Sequence, residues 1–386
     1  MEEEFTNLKK AFNKNNLCLY LGAGVSAGNG LPTWEKLVLS MYYSATSEQS
    51  LQGWRPFSNY LYAIAEWHLD RSHEPLEITA RKLRKYYSDK ANGHDEFLKS
   101  IAETLYGGFL FPDGTRQDVH ADALRYGNKT LDAVAALCEK SVPGGKGVNS
   151  IITYNYDNLL EVALNNYPFQ SIFNASKFDS SKLPIYHVHG LVPLDDSPGS
   201  DPEEIVFTED QYHLSARDSY SWANLVQIQA MSGSVGLMIG LSLSDRNMRR
   251  LLDAITNAPI NSENYALLQK KKFVPPPPEE LEQIHENAKK YFHKFEKSGL
   301  KSDDIMLDSV FTLKPGRKSE EPDLDFGALG IKGPRYMYEI IKILEQVERL
   351  DEELQTYVLE QLGITPIWYE EHDEIPGILK RIYQSD

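Results

Sequence analysis

The chain has 386 residues, 41% of them hydrophobic and 25% charged, which is the composition of a globular protein that can bury a sizeable core. A formal net charge of −16 argues against a non-specific nucleic-acid binder, because such proteins neutralise phosphates with clustered lysines and arginines. The two cysteines, Cys18 and Cys138, form no Cys-x-x-Cys pair, which excludes a structural zinc site built from four cysteines.

Features of targeting and membrane insertion are missing from the sequence. No apolar run approaches the roughly 18 residues that a membrane-spanning helix needs, and the opening residues are acidic where a secretory signal is basic. We therefore expect a cytoplasmic protein with no membrane contact.

The first motif is an apolar run, residues 17–21, that stops at Gly22-Ala23-Gly24 and is succeeded by a segment with helical potential. Open α/β sheets build phosphate sites from a strand, a glycine turn and a helix, because glycine lets the ligand approach the backbone and the first helical N–H groups face the anion. Gly22, Gly24 and Ala27 fit the dinucleotide pattern G-x-G-x-x-G/A. The same residues also fit a turn that only joins a strand to a helix.

The segment after this loop disfavours an ordinary Rossmann dehydrogenase. Such an enzyme needs an acidic residue about 20 positions later, at the end of a second strand. That distance leads to residues 40–44, which contain neither a strand pattern nor an acid, and the next acid is Glu48. The loop continues instead into Gly30-Leu31-Pro32-Thr33-Trp34.

Helical periodicity dominates residues 58–142. Helices are predicted near 60–67, 76–87, 96–106 and 130–138, with turns at Gly107-Gly108 and Pro112-Asp113-Gly114. Because no convincing strand interrupts them, we predict a helical module inserted between the first strands of a sheet.

The rest of the chain alternates apolar strand patterns with helical ones, which predicts an α/β fold with a Rossmann-like, mostly parallel sheet and helices on both faces. A stiff break of lysines and prolines at 270–278 precedes predicted helices at about 279–298 and 335–362. We therefore predict a sheet domain over 1–268, a linker and helical appendage over 269–362, and the last strand and helix of the sheet domain over 363–386.

Four of the predicted strands end in small or polar residues, and ligands of open α/β sheets bind beyond the carboxyl ends of such strands. We therefore expect these residues to share one crevice. They are Gly22, Gly24 and Ser26, then Asn155 and Asp157, then His189, and finally Gly240, Ser242 and Asp245. Taken singly, Asn155, Asp157, Ser242 and Asp245 also fit helix caps, and His189 also fits a satisfied buried imidazole.

Two histidines lie close together in the segment 184–191. Strand alternation predicts that Tyr186 and Val188 share one face and that His187 and His189 share the other. No third ligand is evident for the two histidines, and His, Asp and Glu clusters with ligand spacing are missing elsewhere. We expect no bound metal.

Taken together, these motifs resemble the NAD-binding loops of the sirtuin superfamily, most of all its prokaryotic branch found in antiviral defence proteins. The first loop is similar to the family's Gly-Ala-Gly-x-Ser and Gly-Leu-Pro, with Trp34 where deacylases have Phe-Arg. Thr153-Tyr154-Asn155-Tyr156-Asp157 resembles the branch's Thr-x-Asn-Tyr-Asp, and His187-Val188-His189-Gly190 resembles the segment with the general-base histidine. Gly240-Leu241-Ser242-Leu243-Ser244-Asp245 resembles the Gly-x-Ser loop at the adenosine ribose.

The resemblance implies roles for these residues. Asn155 and His189 would be catalytic, Asp157 would hold the nicotinamide amide, and Ser26 with the glycine-loop N–H groups would hold the pyrophosphate. The full set implied to contact NAD+ is Gly22, Ala23, Gly24, Ser26, Leu31, Pro32, Trp34, Asp157, Gly240, Ser242, Leu243 and Asp245.

One departure from the family bears on the reaction. Deacylating sirtuins carry a four-cysteine zinc module and a cleft for an acyl-lysine peptide, and this chain lacks those cysteines. Water is therefore the expected acceptor, and the leading interpretation is an NAD+ glycohydrolase that releases nicotinamide and ADP-ribose and depletes NAD+ in infected cells.

Two alternatives stay open. One is an NAD-dependent ADP-ribosyltransferase or deacylase, and the other is a non-catalytic module that senses NAD+ or ADP-ribose and signals by assembly. The resemblance also implies homo-oligomers and, in some systems, a separately encoded partner such as a HerA-type ATPase. No direct nucleic-acid binding is expected.

Overall fold

The computed structural model describes residues 2–50, 58–90, 93–106, 127–142, 145–164, 167–194, 197–259, 262–298, 324–326, 331–333 and 335–384. The chain divides into two compact units, one formed by Met1–Lys270 with Val358–Asp386 and the other by Lys271–Tyr357. The turns predicted at Gly107-Gly108 and Pro112-Asp113-Gly114 lie outside the described residues.

A seven-stranded sheet, parallel at every neighbouring pair, forms the centre of the first unit. Its strands are β1 (Leu17–Leu21), β2 (Val148–Thr153), β3 (Phe169–Ile172), β4 (Leu183–His187), β5 (Val235–Ile239), β6 (Glu263–Gln269) and β9 (Ile364–Tyr369). Their order across the sheet is β3-β4-β2-β1-β5-β6-β9. The predicted Rossmann-like parallel sheet is thereby confirmed.

Helices cover this sheet and fill the interval between β1 and β2. In the first unit they lie at Glu2–Asn13, Ala23–Ser26, Trp34–Ser50, Ser58–Ser72, Leu76–Ser88, His94–Tyr106, Lys129–Glu139, Leu159–Ala163, Glu209–Arg217, Trp222–Gly233, Arg246–Thr256 and Ile375–Tyr383. The four helices between Trp34 and Tyr106 pack among themselves, with Trp34–Ser50 touching the other three. Lys129–Glu139 packs instead beside Ile375–Tyr383, against the sheet.

The two faces of the sheet have separate cores because β1 is apolar along its whole length. Leu17, Leu19 and Leu21 belong to one buried cluster, whereas Cys18 and Tyr20 belong to the cluster on the opposite face. This division results from the alternation of side chains along a strand. Both clusters include helical residues, so helices cover both faces as predicted.

The strand order indicates where a ligand is expected to bind at the sheet. The chain goes from β1 to β2 on one side and later returns to place β5 on the other side of β1. The order therefore reverses at β1, and open parallel sheets bind ligands beyond the carboxyl ends of the strands at such a point.

The sequence prediction missed two elements of the first unit, β3 and the helix Glu209–Arg217. β3 is a short edge strand in which only the last residue is buried, so it has no long apolar run. The helix Glu209–Arg217 begins with a capping box formed by Thr208 and Gln211. That Ser/Thr-x-x-Glu/Gln signature was readable in the sequence.

The second unit contains the helix Pro278–Ser298, the antiparallel strands β7 (Leu324–Phe326) and β8 (Ile331–Gly333), and most of the helix Arg335–Gln361. Leu281, Met337 and Ile341 form its buried cluster. Among the residues described, no helix is both long enough and apolar enough to cross a membrane.

Candidate functional site

A cavity of about 820 Å³ lies at the carboxyl edge of the sheet. Its walls come from the segments after β1, β2, β4 and β5 and from the ends of β6 and β9. All but one of the residues expected to form the site line it: Gly22, Ala23, Gly24, Ser26, Pro32, Trp34, Asn155, Asp157, His189, Gly240, Ser242, Leu243 and Asp245.

Leu31 is the exception, and its expected contact with NAD+ stays a prediction. Its side chain is 5% exposed and belongs to the core cluster, and Leu31 does not line the cavity. Burial of an apolar side chain against the core is worth about 1.5–3 kcal/mol, which explains why Leu31 faces inward from this loop. The neighbouring Pro32 lines the cavity instead.

The glycine loop after β1 packs directly against the turn after β5. The Gly22 N–H donates to the Ile239 carbonyl at 3.0 Å, and the Gly24 N–H donates to the Gly240 carbonyl at 2.9 Å. A Cβ on Gly24 would lie 2.7 Å from the Gly240 Cα, which is too close. The close approach that requires glycine here is thus between two backbone turns, and these two N–H groups are already used within the fold.

The turn after β5 is also held in an uncommon conformation. Leu243 has a φ of 58°, in the left-handed region that residues with a Cβ rarely adopt. Arg249 donates to its carbonyl at 3.1 Å, and the Leu243 side chain is buried in the core. Backbone strain of this kind recurs at ligand-binding loops.

A hydrogen-bonded triad of side chains lines the cavity between β1 and β2. The Ser26 hydroxyl donates to Asp157 Oδ1 at 3.0 Å and accepts from Asn155 Nδ2 at 3.2 Å. Ser26 was expected at the pyrophosphate, but its hydroxyl already bonds both of these side chains and the residue is only 3% exposed. With Nδ2 bonded to Ser26, the carboxamide oxygen of Asn155 is the acceptor it can offer to a ligand.

Asp157 is a buried carboxylic acid. Burial raises its pKa to about 6, and the hydrogen bonds from the Leu159 N–H and from Ser26 offset part of that rise. The group therefore changes charge close to neutral pH.

His189 also lines the cavity, beyond the end of β4. Its ring meets Tyr154 edge-on, with centroids 5.1 Å apart, and Tyr212 edge-on at 5.6 Å. Its Nε2 lies 3.4 Å from Asp245 Oδ2, while Asp245 Oδ1 accepts from the Met248 N–H. Burial lowers the pKa of His189 and Asp245 offsets this only in part, so the imidazole is neutral at pH 7 and able to accept a proton.

Tyr212, which contacts His189, was missed because its helix, Glu209–Arg217, was not predicted. Glu209 and His213 of the same helix also line the cavity. Tyr154 belongs to a predicted motif, but the sequence assigned it no role of its own. Its ring packs edge-on against His189, and its hydroxyl donates to Gln227 Oε1 at 2.7 Å.

Tyr186 and Val188 pack in the same cluster, as predicted, but His187 does not share a face with His189, so the prediction is wrong for the two histidines. β4 ends at His187, and a turn closed by the Gly190 N–H and the His187 carbonyl, with Gly190 at a φ of 92°, then breaks the alternation. The His187 ring points to the buried side, where Nε2 lies 2.7 Å from Glu161 Oε1 and Nδ1 lies 3.4 Å from the Asn155 carbonyl.

Charged side chains also line the cavity. Arg246 pairs with Glu77 at 3.4 Å, joining the inserted helices to the helix after β5. Arg250 also lines the cavity and is oriented by two bonds to Asn247 Oδ1, at 2.8 and 3.2 Å. These two guanidinium groups are cations able to approach an anionic ligand in an otherwise acidic chain.

Residues 149–294 match the family model described as SIR2-like domain. The match supports a sirtuin-like domain. It begins in β2 and includes the turn with Asn155 and Asp157, His189, and the turn after β5, whereas the glycine loop after β1 lies outside it. No curated protein matches the sequence significantly.

SIR2-like domains bind NAD+ and are in general NAD-dependent enzymes, so the match supports NAD-related activity for this sirtuin-like domain. Within the part of the chain that the structure covers, no group of three or more His, Cys, Asp or Glu side chains could hold a metal ion. The cavity thus combines a neutral imidazole, a carboxamide acceptor and a carboxylic acid of raised pKa. Such a set can orient a ribose and move a proton.

Proposed function

We propose that the protein is an NAD+ glycohydrolase that cleaves NAD+ to nicotinamide and ADP-ribose. The observation that carries this proposal is the convergence of Asn155, Asp157 and His189 on one cavity at the strand-order reversal, with the pKa of His189 lowered by burial. A module that only binds the nucleotide has no need for a neutral base in this place.

In the proposed reaction the bond between the ribose C1′ and the nicotinamide nitrogen breaks, and nicotinamide leaves with the bonding electron pair. A water oxygen forms the new bond to C1′, and the water proton passes to His189. Proton transfer by a positioned side chain typically contributes about 10²–10⁴-fold to the rate. Asp245, 3.4 Å from His189, stabilises the imidazolium that forms.

In this proposal the triad of Ser26, Asn155 and Asp157 orients the substrate. The Asn155 carboxamide oxygen accepts from a ribose hydroxyl or from the water, and Ser26 keeps the amide nitrogen turned away from them. Asp157, fixed by Ser26 and the Leu159 N–H, receives the nicotinamide carboxamide. Arg250 and Arg246 are the cations that we assign to the pyrophosphate, in place of Ser26 and the amides of Gly22 and Gly24.

The biological role that we attach to this reaction is depletion of NAD+ as an anti-phage defence. Its support is the resemblance of the Thr153-Tyr154-Asn155-Tyr156-Asp157 and Trp34 motifs to the defence branch of the sirtuin superfamily. We include assembly into homo-oligomers and a HerA-type ATPase partner in the same proposal.

The test is the product profile of the purified protein incubated with NAD+. We expect nicotinamide and ADP-ribose in equal amounts, and a loss of at least about 10²-fold for Asn155→Ala and for His189→Ala, the scale of a lost positioning group or base. Asn149→Ala, at the opposite end of β2, and His73→Asn, on an exposed turn, are the matched controls and should keep full activity.

Other outcomes point to the alternatives. Binding of NAD+ or ADP-ribose without turnover, with and without candidate partners, would support the sensor. Nicotinamide release that depends on an acyl-lysine peptide, or label transfer from NAD+ to a protein, would support the deacylase or transferase. In cells challenged with phage, the same Asn155→Ala variant should preserve NAD+ and lose protection.

A further inference from the structure

A buried chain of hydrogen bonds lies behind the turn that carries Asn155. Ser171 of β3 donates to Glu161 Oε1 at 3.0 Å, and the same oxygen lies 2.7 Å from His187 Nε2. His187 Nδ1 lies 3.4 Å from the main-chain carbonyl of Asn155. The strands β3 and β4 and the helix Leu159–Ala163 are thereby connected to the backbone of Asn155.

The geometry favours the protonated form of His187. Nε2 faces a carboxylate and Nδ1 faces a carbonyl, and both of these groups only accept hydrogen bonds. A neutral imidazole donates through one nitrogen only, whereas the imidazolium donates through both. Burial alone would lower the pKa of His187, but Glu161, the Asn155 carbonyl and Asp157 outweigh it and the pKa is raised.

The Asn155 turn borders a small void between the site residues and the buried chain of hydrogen bonds. A small cavity of about 10 Å³ is enclosed between Ser26, Asn155 and Asp157 on the site side and Glu161 and His187 on the buried side. Because close packing fixes positions in most protein interiors, a turn that borders a void depends more on its specific hydrogen bonds. For Asn155 these are the His187 contact at its carbonyl, the Thr153 hydroxyl 3.1 Å from its N–H, and the bond from its side-chain Nδ2 to Ser26. The first of these comes from outside the site.

We propose that His187, held by Glu161, is a positioning residue that fixes the Asn155 turn in the geometry needed for cleavage. It touches no substrate and acts through the backbone of Asn155. This role rests on the proposed NAD+ cleavage, in which Asn155 orients the ribose. A displacement of about 1 Å in such a group can cost about 10²-fold in rate, so a contact outside the cavity can matter this much.

The variants that test this role are His187→Gln, Glu161→Gln and His187→Lys. Gln at 187 cannot donate to both partners in the same geometry, whereas the lysine ammonium has three donors and can reach both acceptors. Leu379→Ala is the matched control, because it removes a fully buried side chain from the core cluster that also contains Leu160 and Ile185. Leu379 lies on the helix Ile375–Tyr383, far along the chain from His187. All are compared at a temperature where each is folded.

We expect His187→Gln and Glu161→Gln to lower kcat by about 10- to 100-fold while Kd for ADP-ribose changes little, since the cavity walls stay in place. His187→Lys should restore most of kcat, and Leu379→Ala should keep it. A merely structural role predicts instead that His187→Gln behaves like Leu379→Ala, and that outcome would overturn the proposal. So would a His187→Lys variant no better than His187→Gln.

Hydrogen–deuterium exchange of the peptide that covers residues 153–159 gives a readout that does not depend on activity. We expect faster exchange there in His187→Gln than in the parent and the Leu379→Ala control. Should the parent release no nicotinamide, the proposed function fails, yet this exchange difference still measures whether His187 holds the turn. Equal exchange in His187→Gln and the parent would refute the positioning role whatever the activity.

Discussion

His187 and His189 are two residues apart, and the structure places them in opposite surroundings. His187 ends β4, is fully buried and bonds to Glu161 and the Asn155 carbonyl, and its pKa is raised. His189 comes after the strand, lines the cavity between two tyrosine rings, and has a lowered pKa. The strand end between them separates an imidazole whose pKa is raised from one whose pKa is lowered.

This contrast shows how one residue type serves two purposes at one strand end. Both histidines have a carboxylate partner, but Glu161 touches His187 at 2.7 Å whereas Asp245 lies 3.4 Å from His189 and also caps a helix. A tight buried pair keeps its proton, and a loose one surrounded by aromatic rings releases it. The first suits a fixed contact, and the second suits proton transfer.

The greatest change is expected in stability. His187→Gln leaves Glu161 buried without its protonated partner, which typically costs about 3–5 kcal/mol, while His189→Gln removes only a neutral imidazole 3.4 Å from Asp245 and should cost much less. Urea unfolding at pH 7 measures both. Equal losses in the two variants would remove the contrast between the two histidines.

The two histidines should also change the stability of the fold with pH in opposite directions. The raised pKa of His187 means that its stabilisation, supplied by Glu161, the Asn155 carbonyl and Asp157, is complete below the unfolded value of 6.5 and is lost as pH rises through the folded value. The lowered pKa of His189, which faces Asp245, Tyr154 and Tyr212, means that the parent loses stability as pH falls below 6.5. In a plot of the free energy of unfolding against pH, His189→Gln should therefore reduce the slope below pH 6.5. His187→Gln should reduce the slope above pH 6.5.

Asp157 adds to this contrast because it lines the same cavity as His189, interacts electrostatically with His187, and is itself costly to ionise. Its pKa of about 6 against an ordinary 3.8 corresponds to about 3 kcal/mol, and the folded state retains the proton in the interval between these values. Stability should therefore fall as pH rises from 3.8 to about 6 and stay reduced above it.

Asp157→Asn tests this directly. Asparagine keeps an oxygen for the Leu159 N–H and the Ser26 hydroxyl but carries no charge. At pH 7.5 we expect a gain of up to about 3 kcal/mol in the free energy of unfolding, together with weaker NAD+ cleavage, and at pH 4 almost no gain. A variant less stable than the parent at both pH values would contradict the raised pKa.

Sequence reasoning located six of the seven strands of the sheet, all but β3, and the convergence of four of their ends, because continuous apolar runs that stop at Gly, Ser, Asn or Asp are a strong local signal. It failed where geometry between distant segments decides. Nothing near Gly24 in the sequence shows that it faces the turn at Gly240, nor that Leu31 turns into the core. The opposed histidines depend on a strand end at His187, and alternation alone cannot give a strand end.

Metal removal should have the least effect of all. Two histidines with two carboxylates are a common ligand set, and a metal shared between His187 and His189 would abolish the contrast between them. Their rings point to opposite sides of the strand end, His187 to the buried Glu161 and His189 to Asp245 in the cavity, so they cannot meet at one ion. NAD+ cleavage should therefore survive exhaustive treatment with EDTA at the untreated rate. The control is a zinc-dependent deacylase treated in parallel, which should lose activity. Loss of activity here, restored by adding zinc, would mean that the two histidines share a function that their separate surroundings do not predict.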